Sequence, residues 1–155
     1  MYLLLLIPAY VIVYFLLIWW FQRFFNINEK SKYNGNHVLI ILSIYFVVLY
    51  GISNIENHEL ANRIQHAIGG GFLIVVISYF SIIASKVKIT RFQFVFLGFF
   101  IATTFGVVNE LAESIFQNVY GINFANNIND TWLDLWANSI GAVLGIIIFT
   151  NFVKK

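Results

Sequence analysis

At 155 residues the chain is long enough for one domain, yet it is 60% apolar, 19% aromatic and only 10% charged, too few charges to cover a water-facing surface, for which about 25% is usual. It has no cysteine, which excludes disulfides and thiolate zinc sites, and its net charge of +2 comes without a long basic run, so nothing points to nucleic acid. The expectation is an all-α integral membrane protein, a polytopic transmembrane helical bundle making a single domain over residues 1–155, with the lipid bilayer as its first partner.

In chain order, the long apolar runs predict about five spans, most of them near the ~20 residues that cross a bilayer. The first, residues 2–21, reads "YLLLLIPAYVIVYFLLIWWF". It lacks a basic leading region and is too long for the core of a signal peptide, so it reads as a retained span. Its closing "WWF" is an interfacial anchor, and Pro8 is tolerable inside a bundle. The second span, residues 37–53, is short. The third covers 60–85, the fourth 92–119 and the fifth 131–153.

Five spans put the chain ends on opposite sides. One side collects Arg23, Lys30, Lys32, Lys86, Lys88, Arg91, Lys154 and Lys155, whereas the other holds only Arg63. Because cytoplasmic loops gather Lys and Arg, the N-terminus is predicted outside and the C-terminus inside. The acids divide the other way: Glu56, Glu59, Glu110, Glu113, Asp130 and Asp134 lie toward the outer side, and Glu29 alone toward the inner.

Helical periodicity gathers these groups further. At 100° per residue, Asp130, Asp134, Asn138, Gly141 and Gly145 share an arc of roughly 80°. Thr103, Gly106, Glu110, Glu113 and Gln117 share a similar arc on the fourth span, with Asn109 beside it. Arg63, His66 and Gly70 share one on the third. An ionisable group at such depth costs roughly 2.5 kcal/mol or more if it faces lipid. The three stripes are therefore expected to face one another around an outward-open polar pocket lined by Arg63, His66, Asn109, Glu110, Glu113, Asp130, Asp134 and Asn138.

Each residue also has a purely structural reading. Asp130 before Thr131 is an N-cap signal. Gly141 and Gly145 form a small-residue stripe for helix packing. Asn138 can tie helices together, Arg63 can pair with Glu59 or with the Glu110–Glu113 turn, and His66 can be a hydrogen-bonded core histidine.

The segments "RIQHAIGGG", "FGVVNELAESIFQ" and "DTWLDLWANSIGAVLG" resemble, in this order, the VanZ-like and YjdF-like small bacterial membrane proteins over about residues 60–147. The matching pattern D-x-x-x-N-x-x-G-x-x-x-G falls on Asp134, Asn138, Gly141 and Gly145. Asp130 and the Glu110–Glu113 pair suit the YjdF-like pattern better, and no Arg follows Gln117 as is usual in VanZ-like proteins. The resemblance implies a compact helical protein of the cell membrane, connected with cell-envelope chemistry.

Three classes of function remain open. In an enzyme, Glu110, Glu113, Asp134 and His66 would be catalytic and would hold a divalent metal ion, with carboxylates suiting Mg²⁺ or Mn²⁺ and imidazole admitting Zn²⁺. Arg63, Asn109, Asp130 and Asn138 would bind an outer-leaflet lipid-linked substrate. In a binding or transport protein, the same acidic vestibule would collect a cationic small molecule. In a structural protein, the cluster would set helix register or dock a partner.

Overall fold

The computed structural model describes residues 2–27, 35–121 and 128–153. Within them every regular element is a helix. The first helix is Tyr2–Phe24, the second Gly35–Ser53, the third His58–Ala84, the fourth Arg91–Tyr120 and the fifth Ile128–Phe149, which continues as a 3₁₀ turn over Thr150–Phe152. The apolar runs at residues 2–21, 37–53, 60–85, 92–119 and 131–153 each fall on one of these helices. The third, the fourth and the continuous segment Asn129–Phe152 are long and apolar enough to cross a membrane, whereas Pro8–Phe24 and Val38–Ser53 are shorter apolar stretches. Glu29, Lys30, Lys32, Lys154 and Lys155, used above to orient the chain, lie outside the described residues.

Local signals fix the helix ends. Asn57 caps the third helix by accepting from the Leu60 N–H at 3.0 Å. A capping box opens the fourth: Gln93 N–H donates to Thr90 Oγ1 at 3.2 Å, and Thr90 N–H donates to Gln93 Oε1 at 2.8 Å, satisfying two otherwise orphaned donors. Gly121 closes the same helix at φ 68°, a left-handed conformation that glycine adopts without steric penalty.

The third helix is the hub of the bundle. Its second half, Ile74–Ala84, packs against the first helix, and its middle part carries the most extensive contact among the described residues, with the fifth. Fully buried Ser78, Ser81 and Ser85 line the second half. Their hydroxyls donate to backbone carbonyls one turn back at 2.6–2.7 Å, and Ser81 and Ser85 also approach the Tyr14 and Ile18 carbonyls of the first helix at 3.4 and 3.3 Å. Small, self-satisfied polar side chains of this kind let helices approach closely in lipid. Large apolar side chains such as Val47, Phe92, Leu111 and Ile147 are exposed around the outside, as expected where hydrocarbon is the solvent.

The middle of the third helix, His66–Leu73, is wound as a π-helix, a feature that periodicity at 3.6 residues per turn does not reveal. Its sequence, "HAIGGGFL", holds three consecutive glycines, poor α-formers. The glycines are where the fifth helix comes closest. A Cβ on Gly71 would strike the Asn138 carbonyl, one on Gly141 would strike the Ala67 carbonyl, and one on Gly145 would lie 3.0 Å from Val75 Cβ. Gly141 of the fifth helix thus packs backbone against backbone, and Gly145 seats the Val75 side chain, as the small-residue spacing predicts.

Candidate polar site

The three polar stripes meet at the junction of the third, fourth and fifth helices. Arg63, on the α-helical turn before the π segment, pairs with the carboxylates of both Asp130 and Asp134 and donates to the Asp130 carbonyl at 3.2 Å; Glu59, one turn earlier, is 3.7 Å away. Asn62 donates to both oxygens of Asp134 at 3.1 and 3.3 Å. Asp134 is 2% exposed, so this neutralising shell replaces the water it lacks.

One turn deeper, His66 stands between two acids. Its Nδ1 lies 3.6 Å from Glu110 Oε1 and its Nε2 lies 3.5 Å from Asp134 Oδ2. His66, Glu110 and Asp134 each offer a ligand atom, and the three atoms lie within 4.8 Å of one another. Ligands held ~2.1 Å from an ion stand roughly 3–4 Å apart; the two His66 contacts use opposite ring nitrogens, of which one ion takes a single one, so it is the 4.8 Å bound on one atom from each residue that admits a shared ion. Glu110 is 7% exposed, and its Oε1 has no hydrogen-bond partner among the described residues. Leaving a buried acceptor unpaired costs about 1–3 kcal/mol, and more for a charged group. Asn138, 3% exposed, lies beside His66 and Gly106, and neither its Oδ1 nor its Nδ2 reaches hydrogen-bonding geometry with any of the described residues.

Glu113 is half-buried and accepts from Asn109 Nδ2 at 2.7 Å, so these two form a second polar pair one turn outward of Glu110. Two expectations are corrected. Asp130 does not cap the fifth helix: that helix starts at Ile128, and the Asp130 carboxylate in its first turn is turned to Arg63. Arg63 is engaged by the fifth helix rather than by the Glu110–Glu113 turn of the fourth.

Beside the cluster lies a cavity of about 500 Å³. His66, Asn109, Glu113 and Asn138 supply part of its wall, and the first and second helices close the rest with Tyr10, Val13, Tyr45 and Leu49. The Tyr10 and Tyr45 rings meet edge to face at 5.6 Å, and both hydroxyls abut Gly69. Asn62, Tyr10 and Tyr45 are parts of the site that sequence reasoning missed. Asn62 sits four residues before His66, the one signal that pointed to it. The tyrosines look like ordinary interfacial aromatics until the helices are docked.

A family model described as "Predicted membrane protein (DUF2238)" matches residues 2–155. No curated protein and no solved structure matches the chain.

Proposed function

The chain belongs to the membrane protein family DUF2238, and from that premise we propose that it binds a divalent cation between His66, Glu110 and Asp134 and uses it to hold or act on the polar head of a lipid-linked envelope substrate. The observation that carries this reading is buried Glu110, whose Oε1 has no hydrogen-bond partner among the described residues and whose carboxylate offers a ligand atom within 4.8 Å of one from His66 and one from Asp134. An imidazole with two carboxylates suits Zn²⁺ or Mn²⁺ and admits Mg²⁺. A bound ion would clamp a phosphate oxygen or activate water, with Glu113 in reach as a general base.

In this reading the protein spans the cytoplasmic membrane about five times, with its N-terminus and polar cluster outside and its C-terminus inside. The resemblance to VanZ-like and YjdF-like proteins in the three polar segments belongs to the same proposal and supports an envelope setting. Arg63 acts as a positioning residue that fixes Asp134, since its donors are taken by the two aspartates. Asn109, Asp130 and Asn138 complete the shell around the head.

A structural role has one observation in its favour, the closed Arg63–Asp130–Asp134 network, which by itself would set helix register. It gives Glu110 Oε1 no hydrogen-bond donor among the described residues. The test is thermal unfolding of the purified protein with Mg²⁺, Mn²⁺ or Zn²⁺ after chelation. Stabilisation by one ion, lost in Glu110→Gln, supports the cation site; equal response of the two proteins to every ion contradicts it.

A further inference from the structure

The cavity beside the cluster is graded along its length. Its polar members, Glu113, Asn109, His66 and Asn138, come from the outer half of the bundle. Deeper in lie Ile74 and Phe105; Leu49, one turn from the outer end of the second helix at Ser53, and Val13 form the side wall with Tyr10 and Tyr45. On its third-helix wall the cavity runs from Gln65 to Ile74, the length of the π-wound segment. Its volume falls within the range of about 300–1,000 Å³ typical of small-molecule sites. The fourth helix packs on the third and fifth and has no extended packing against the first or second among the described residues. The space between them is therefore a gap in the bundle wall, with exposed Val108 at its edge. Asn138, 3% exposed and beside His66, presents its amide to this space.

We propose that this cavity takes the hydrocarbon chain of a phosphate-headed amphiphile, entering sideways from the bilayer between the second and fourth helices, with its head against His66 and Asn138. An apolar cavity with a polar end fits an amphiphile rather than a free ion. A phosphate rather than an ammonium head rests on the cation reading above, because Arg63 is consumed by the aspartates and an anionic head needs another positive charge.

The experiment uses the full chain in phosphatidylcholine vesicles with a dodecyl phosphate bearing a mid-chain diazirine. After illumination, adducts are mapped by mass spectrometry. The expected result is labelling at Val13, Leu49, Phe105 and Ala112 about tenfold above that at lipid-facing Ile147, a preference worth about 1.4 kcal/mol. Ala112→Trp, which fills the gap, is expected to abolish the preference. Even labelling of Ile147 and the cavity residues in the unmodified protein would overturn the proposal, whatever the variant does. So would inorganic phosphate competing as well as unlabelled dodecyl phosphate, or a dodecyltrimethylammonium analogue labelling in preference. Cavity labelling unchanged by chelation would overturn the phosphate-head assignment together with the cation reading, while chelation-sensitive labelling outside the cavity would overturn the chain's placement alone.

Discussion

Arg63 and Asp134, on the third and fifth helices, form an ion pair across 71 residues of sequence, and Asn62 donates to the same carboxylate. With Asp134 buried, removing one partner strands the other. Arg63→Ala is expected to destabilise the protein by about 3–5 kcal/mol, the range for broken buried pairs. The double variant Arg63→Ala with Asp134→Ala is expected to recover part of that loss, with a coupling of about 0.5–3 kcal/mol. Denaturant unfolding in detergent, followed by tryptophan fluorescence, measures both. Additive losses would mean that the pair does not join the helices.

The glycines separate packing from propensity. Gly141→Ala places a methyl group against the Ala67 carbonyl and is expected to lose about 1–3 kcal/mol through overpacking. At Gly51, inside the second helix, an added Cβ would meet nothing within 4 Å, so Gly51→Ala is expected to gain about 0.5–1 kcal/mol. Unfolding midpoints moving in opposite directions confirm the close approach of the third and fifth helices. A stabilised Gly141→Ala would place those helices further apart.

The lack of cysteine makes topology testable with single introduced thiols. Glu56 is exposed before the third helix, and Lys88 is exposed in the turn after it. Glu56→Cys is expected to react with a membrane-impermeant maleimide added to intact cells. Lys88→Cys is expected to react only after permeabilisation, since in the proposed orientation the basic side faces the cytoplasm. The reverse pattern would invert the proposed orientation and turn the polar cluster inward.

Much of this site is legible in the sequence because lipid punishes polar groups so heavily that their angular positions carry the packing. The arcs through Asp134 and Asn138, through Glu110 and Glu113, and through Arg63 and His66 do converge. What was not legible has specific causes. The π-wound turn at His66–Leu73 shifts the phase of every later side chain on that helix, and a 3.6-residue wheel does not show it. The choice of Arg63 between the acids of the fourth and fifth helices depends on how closely glycine lets the fifth helix approach. Tyr10 and Tyr45 carry no periodic polar signal, so the far wall of the cavity emerges only when the first two helices are docked.

Chemistry at the cluster is expected to respond in a graded way. Glu113→Gln leaves the three-ligand set of His66, Glu110 and Asp134 intact and is expected to preserve cation stoichiometry. His66→Ala removes the imidazole shared with the cavity and is expected to lower cation affinity by about tenfold or more. Titration calorimetry of both variants checks this order, and equal losses would spread the site over the whole acidic stripe.

The most direct test is a structure of the protein in lipid, with anomalous scattering recorded at the Mn or Zn edge. The account predicts one peak between His66, Glu110 and Asp134, within ordinary ligand distance of Glu110 Oε1. No peak, with Glu110 Oε1 instead hydrogen-bonded to a protein donor, would contradict it.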